Sequence, residues 1–381
     1  MKTITIIGAG IGGLTTALAL EQKGFQVVIY EQAKTIKPMG AGIMLASNAM
    51  KVYQNLGIDV QLILNANPLY SMNITDKNLN AFSKIDLQYF KHTYNLQSIS
   101  IHRGKLQEIL LQNLKTTEIH LHHTLDSLTK EIDGYTLQFQ NGQQIKSSII
   151  LAADGIYSNV RNVLFPNSKL RSMKQVCWRG VANFTLPKTY QNELNEAWGN
   201  GDRFAFVQLH ENQMYWYAVK SFTQHKDEFS TEDLSSYFSS YASIVQEIIT
   251  TTPSQNIHET VIEDLQPISS WHDEFACLIG DAAHATTPNM GQGACQAIED
   301  ALVIANCLKE CDTTEEAFRK YQKQRKATAH KVVKQSWHIG KISHWKHPVA
   351  TFLRNGLLQI FPQKLNRIQL EKLFQLQKTP A

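Results

Sequence analysis

The sequence predicts an α/β chain: a parallel, doubly wound unit at the front, an antiparallel β-sheet inserted into it, and a helical segment at the end. Three observations carry this. A β-branched run, Thr3 to Ile7, leads straight into glycines spaced GxGxxG at Gly8, Gly10 and Gly13. From Cys177 to about Glu263 aromatic residues alternate with polar ones at the period of a strand. From Tyr321 onward the composition is helical and basic.

The opening run fits a buried parallel strand. Each glycine after it serves a different need. Gly8 makes a tight turn, Gly10 lets backbone approach a pyrophosphate, and Gly13 lets helix pack closely on strand. Leu14 to Lys23 is helical in composition and Gly24 stops it. Gln26 to Tyr30 is the second strand. Glu31 ends it, placed to bind the two hydroxyls of an adenosine ribose. Strand, glycines, helix, strand and acid in this order describe a Rossmann-like dinucleotide site. Lys2 with Ala17-Leu18-Ala19 could pass for a secretory signal, but the glycines would interrupt its apolar core and Glu31 would have no purpose.

Pro38 to Ile43, with Gly40 and Gly42, reads as a flexible loop before a short helix around Asn48 to Leu56 that Gly57 closes. Residues 70–98 read as short antiparallel strands. Ile101 to Gln107 returns to helix, with Arg103 at its start. That arginine is either a solvated surface charge or a guanidinium facing a pyrophosphate. Asp133-Gly134 and Asn141-Gly142 are hairpin turns, so Tyr135 to Phe139 and its flanks form a meander. Ser147 to Ala152 is the next buried strand and ends at Asp154-Gly155, followed by Ser158 and Arg161. Most rings of the aromatic stretch fill a core. Arg179, Gln208 and Tyr217 are the candidate polar groups of a ligand pocket, Arg179 having a structural ion pair as its alternative. Ser230 to Ile249 is a helical excursion.

Near the end a short apolar strand, Phe275 to Ile279, delivers Gly280-Asp281. Pro288 and Gly291-Gln292-Gly293 follow and open an amphipathic helix. Asp281 can accept hydrogen bonds from sugar-like hydroxyls, and the bare amides at Gly291 to Gly293 point positive partial charge at a ligand. A capped surface helix is the plain alternative. The basic tail beyond Tyr321 reads as a solvated helix face, with membrane contact as the other reading.

At 381 residues the chain predicts two domains. A net charge of +4 is too diffuse for nucleic acid. Five scattered cysteines without a CxxC pair predict no metal site and suit a reducing cytoplasm. No apolar stretch reaches the ~20 residues of an integral membrane segment. A monomer or homodimer is expected.

Gly8 to Gly13 with Glu31, Asp154-Gly155 with Arg161, and Gly280-Asp281 with Pro288 and Gly291 to Gly293 stand in one order. This set resembles the FAD-dependent aromatic hydroxylases, the single-component flavoprotein monooxygenases that include salicylate and para-hydroxybenzoate hydroxylases. The resemblance implies an FAD-binding domain at 1–70, 99–175 and 264–345, a substrate domain at 71–98 and 176–263, and a helical tail at 346–381. FAD would be held by Gly8, Gly10, Gly13, Glu31, Gly42, Arg103, Gln107, Asp154, Asp281, Gly291, Gln292 and Gly293. Asp281 would take the ribityl chain, and Pro288, Gly291 and Gly293 would face the flavin ring, beside a catalytic pocket with Arg179 and Tyr217. Gly40 to Ile43 would leave room for a mobile ring, so that substrate gates flavin reduction. NADH or NADPH would reduce the flavin without a nucleotide fold of its own. Dioxygen would then give a hydroperoxide that passes OH to a small aromatic or other electron-rich substrate. A sibling epoxidase or isoprenoid reductase is the enzymatic alternative. A flavin- or ligand-binding protein without turnover is the other. A halogenase would need a Trp-x-Trp-x-Ile-Pro segment, and Tyr215-Trp216-Tyr217-Ala218 lacks its end.

Overall fold

The computed structural model describes residues 3–36, 41–360 and 363–374. Pro38, Met39 and Gly40, assigned above to a loop, lie outside them. Five parallel strands form one sheet in the order Ala276–Leu278, Ile150–Ala152, Ile4–Ile7, Val27–Tyr30, Glu118–His120. The chain leaves Ile4–Ile7 toward one edge first and fills the other side later, so the crevice beside its carboxyl end is a topological switch point. Gly8, Glu31, Asp154 and Asp281 all lie just past strand ends on that one edge.

Aliphatic side chains make this sheet a core layer: Ile4, Ile6, Ile29, Ile150, Leu151 and Leu278 are wholly buried. The Ile11–Gln22 helix covers it with Leu14, Ala17 and Leu18, and the Gly293–Glu310 helix packs against that helix. Small residues permit the approach. A Cβ on Gly280 would come within 2.8 Å of the Ala297 methyl, and one on Gly12 within 3.3 Å. The predicted meander is present as Leu125–Lys130, Tyr135–Phe139 and Gln144–Ser147.

The second large sheet has seven strands, ordered Ile257–Leu265, Leu170–Asn183, Gln213–Ser221, Asp202–Gln208, Glu193–Trp198, Ser71–Thr75, Ala81–Asp86. All its pairings are antiparallel except Glu193–Trp198 with Ser71–Thr75, which runs parallel. Alternation separates its faces. Trp178, Phe204, Phe206 and Trp216 pack with Leu234, Phe238, Val245 and Ile248 of the helical excursion. Tyr215 and Tyr217 point to the other side, among Ala205, Val207, Met44 and Met290.

Three local expectations are corrected. Ile101 and His102 belong to a strand, Ile99–His102, and the helix is Arg103–Asn113. Ile99 and Ile101 are buried and the strand pairs with Gly42–Leu45, so a strand burying both isoleucines displaces the helical turn read from apolar spacing. The same pairing makes Gly42 and Ile43 strand residues, not a flexible loop. Residues 70–98 hold a helix, Gln88–Tyr94, after their two strands, because Phe90 is needed to fill a satellite core with Leu69, Leu87 and Phe374. Long helices close the chain at Thr314–Ser343, Pro348–Ile360 and Gln363–Leu373. No helix among the described residues is long and apolar enough to cross a membrane.

Candidate active site

The glycine turn is held from two sides. Gly8 has φ +102°, and a Cβ there would lie 2.5 Å from the Ala153 carbonyl oxygen, so only glycine fits. A Cβ on Gly13 would lie 2.0 Å from the Gly8 oxygen. Gly10 differs: nothing in the protein lies within 4 Å of its Cβ position. The fold itself places no atom against that position, whereas a pyrophosphate lying on the backbone would. Glu31 accepts from Ala9 N–H at 2.6 Å and Ala33 N–H at 2.8 Å, and Gln107 donates its amide to the Ala9 oxygen at 2.9 Å. Both therefore fix the turn, and each Glu31 oxygen keeps a lone pair for a ribose hydroxyl.

At the next strand end, Asp154 accepts from Val160 N–H at 3.2 Å through one oxygen, while its Oδ1 is buried without a partner. Burial raises its pKa, against hydrogen bonds from Ser158 and Val160 and the charge of Arg161. Arg161 is buried and donates to the Ile156 and Ala282 oxygens at 2.6 and 3.2 Å. It thus ties the Asp154 segment to the Asp281 segment.

Asp281 makes no hydrogen bond among the described residues, although Gly293 lies beside it. Its side chain is reached by solvent yet flanked by protein, and desolvation raises its pKa against the pull of His284, Arg103 and Arg161. Pro288–Met290 forms one 3₁₀ turn, Gly291 turns left-handed at φ +61°, and the helix proper begins at Gly293. No side chain caps it, so its first amides are free for a ligand. A Cβ on Gly291 would sit 3.3 Å from the Met44 methyl. The Gln292 side chain points inward, accepting from Asn48 at 3.1 Å, which leaves its backbone for a ligand.

Behind this segment lies a polar cluster that the sequence did not announce. Asp300 accepts from Gly280 N–H at 3.1 Å and Arg325 Nε at 2.7 Å, and bonds His284 Nε2 at 2.6 Å. Arg325 also meets Glu299 and Gln296, and Glu299 takes the Asn48 amide. Burial opposes ionisation of Asp300, but His284 and Arg325 outweigh it and hold the carboxyl far below the usual carboxylate range.

On the seven-stranded sheet one row crosses four strands: Glu196, Ala205, Tyr217, Arg179. Tyr217 is raised well above 10 by burial and then by the nearby charge of Glu196. Glu196 is paired at 3.0 Å with the buried Arg203, whose other end meets Asn289. The Arg179 Nε donates to Cys177 Sγ at 3.4 Å, and its terminal nitrogens have no hydrogen bond among the described residues. Burial raises the Tyr215 phenol, and Arg179 and Arg103 are close enough to oppose that. The Tyr215 side chain fills the space a Gly42 Cβ would need, its own Cβ 2.4 Å away, so Gly42 makes room for Tyr215. The charge of the exposed Arg103 side chain is felt at both Asp281 and Tyr215, which puts it near both the cofactor edge and the Tyr215 face.

Gln208 is corrected. Its oxygen accepts from Leu186 N–H at 2.7 Å and its nitrogen donates to the Gln213 oxygen at 2.7 Å, so the buried amide is spent on the strand ends and does not line a pocket. Tyr215, Glu196, Arg203 and Asn289 are the residues the sequence reading missed. Strand alternation around Tyr217 was the signal for Tyr215.

The model of the FAD-binding-domain family matches residues 1–336. The chain belongs to this family of FAD-dependent aromatic monooxygenases. Full-length similarity agrees: the chain is 32% identical to the aurachin C monooxygenase/isomerase of Stigmatella aurantiaca, over 99% of this chain and 98% of that protein. It is 31% identical to the 2-heptyl-3-hydroxy-4(1H)-quinolone synthase of Pseudomonas aeruginosa, over 98% and 97%. Among solved structures it is similar to Klebsiella pneumoniae HpxO complexed with FAD and uric acid, at TM-score 0.88 and 25% identity, covering 98% of this chain and 97% of that one. The monooxygenase therefore uses FAD, with NAD(P)H as co-substrate. The open Gly10, the orphaned Asp154 oxygen, the unpaired Asp281 and the uncapped Gly293 helix fit that cofactor.

Proposed function

We propose that this monooxygenase hydroxylates a planar N-heteroaromatic substrate of the quinolone type, bound against the Tyr215 and Tyr217 face. The observation that carries this is Arg179: a half-buried guanidinium beside two phenols, with its terminal donors unspent. Such a group seeks an acceptor oxygen on the ligand, as a quinolone's ring carbonyl would supply. Met44, Met290, Tyr215 and Tyr217 give an apolar surface for the ring system and help exclude water. Two of the full-length relatives, from two strains of Pseudomonas aeruginosa, bear the name 2-heptyl-3-hydroxy-4(1H)-quinolone synthase, which supports the class.

In this reading 1–70, 99–175 and 264–345 carry FAD and 71–98 and 176–263 carry the substrate. Gly8, Gly10 and Gly13 hold the pyrophosphate. Glu31 binds the ribose, Asp281 the ribityl hydroxyls, and the Gly291–Gly293 amides the ring system; Arg103 lies near both the cofactor edge and the Tyr215 face. FAD, reduced by NAD(P)H, supplies the activation of dioxygen. Free thiols at all five cysteines suit a cytoplasmic setting.

The test is substrate-dependent NAD(P)H oxidation with a panel of 2-alkyl-4-quinolones, urate and salicylate, with product mass read for one added oxygen. Quinolones should stimulate turnover and gain oxygen. Arg179→Met should lower kcat/KM for them by about 10–100-fold, the worth of a charged hydrogen bond, with flavin content unchanged. Coupled turnover of urate or salicylate, and none of any quinolone, would overturn the substrate class.

A further inference from the structure

The Pro348–Ile360 helix is built inside out. Its protein-facing side is polar: Thr351 and Arg354 are the buried positions. Arg354 donates to the Ser343 oxygen at 2.9 Å and the Gly199 oxygen at 3.3 Å, and its guanidinium lies 5.3 Å from the Trp198 ring centre. Its solvent side is apolar. Val349, Phe352, Leu353, Leu357 and Ile360 are 57–78% exposed. At 3.6 residues per turn these five share a stripe about 140° wide, opposite Thr351 and Arg354. A surface helix of a globular protein does the reverse, burying its apolar stripe and wetting its polar one. Trp345 and Ile342, just before it, are exposed as well. Five large side chains in one contiguous stripe call for a cover.

The charge around the stripe indicates which cover. The chain holds 37 Lys and Arg against 33 Asp and Glu; residues 338–381 contain seven of the former and one of the latter. The whole positive excess therefore resides in this tail. Lys341 and Lys346, which precede the helix in the chain, and Lys372, which follows it, are exposed, whereas the helix's own Arg354 is turned inward, so the apolar stripe itself bears no charge. A second copy of the chain would bring two cationic tails together. An anionic surface would be attracted. Thirteen residues are too few to span the ~20-residue thickness of a bilayer, and suffice to lie in its interface. We propose that this helix docks the monooxygenase peripherally on an anionic lipid bilayer, Val349, Phe352, Leu353, Leu357 and Ile360 entering the headgroup boundary and the lysines before and after it in the chain meeting lipid phosphates.

Vesicle flotation of the FAD-loaded enzyme tests this, comparing phosphatidylcholine vesicles with vesicles of equal phosphatidylcholine and phosphatidylglycerol. The wild type should bind the anionic vesicles at least about tenfold more tightly, and high salt should weaken the binding. Phe352→Ser with Leu357→Ser should lower binding about tenfold, while flavin content and turnover of a soluble substrate stay unchanged. Lys341→Gln with Lys346→Gln should weaken only the salt-sensitive part. Equal recovery with both vesicle types would overturn the proposal. So would a wild-type dimer in solution that the Phe352/Leu357 variant converts to monomer, because the cover would then be a second copy.

Discussion

Asp281 and Asp300 flank the same short segment, and the chain treats them in opposite ways. Asp300, behind it, is fully buried and bonded by Gly280, His284 and Arg325, and its carboxyl is driven well below the ordinary range. Asp281, in front, has no partner among the described residues, and desolvation drives it upward. One acid is satisfied by the protein. The other is kept in reserve, at a cost, facing the side where Gly8, Asp154 and the first amides of the Gly293 helix converge. An acid whose charge is disfavoured and unpaired marks a ligand site; an acid that is deeply buried and paired marks the frame that positions it.

The frame should give the larger response. Arg325→Met leaves Asp300 and Glu299 buried without their cation, and breaking a buried pair from one side costs about 3–5 kcal/mol. Urea unfolding of the apoprotein should show that loss, and flavin affinity should fall as a consequence. A variant as stable as wild type would mean that the cluster is incidental to the Gly280–Gly293 geometry.

The front should respond in binding alone. Asp281→Ala removes no internal contact, so apoprotein stability should be kept, while FAD loses a charged acceptor worth about 1.5–3 kcal/mol, or about 10–100-fold in Kd. Flavin fluorescence titration measures it. Unchanged affinity, or a stability loss matching that of Arg325→Met, would erase the distinction between the two acids.

The same contrast explains what the sequence made legible. Gly8 and Gly13 are imposed by backbone sterics, with Cβ clashes of 2.5 and 2.0 Å, and Gly280 by its positive φ and the Ala297 methyl 2.8 Å from its Cβ position; such local constraints leave a pattern in the chain. Strand, glycine turn and terminal acid are contiguous, so the cofactor edge could be read. The frame joins Asn48, His284, Glu299, Asp300 and Arg325 from distant stretches, and no spacing rule connects them. The Tyr215 and Tyr217 face was half legible. Strand alternation puts Tyr217 on the side opposite Trp216, but nothing local distinguishes Gln208, whose amide closes strand ends, from a pocket-lining glutamine. Ile99–His102 was misread at its end because a short apolar run beside a helix has no period of its own.

The smallest expected effect carries the contrast into pH. Asp300 has a depressed folded pKa, so its stabilisation is fully present above the unfolded value of about 3.9 and is lost as pH falls through the folded value. Asp281 has a raised folded pKa, so its contribution is present below about 3.9 and is lost as pH rises through the folded value. The two slopes oppose each other on either side of the ordinary carboxylate range. Asp281→Asn should remove only the second. Because that carboxylate is reached by solvent and screened, the gain in apoprotein stability at neutral pH should be modest, about 1 kcal/mol or less. Urea midpoints taken at steps from pH 4 to 7 would show it as a shallower decline in the variant, converging with wild type toward pH 4. Parallel curves would mean that Asp281 ionises in the folded apoprotein as it does in the unfolded chain, and the idea of an acid held in reserve would fail while the FAD assignment stood.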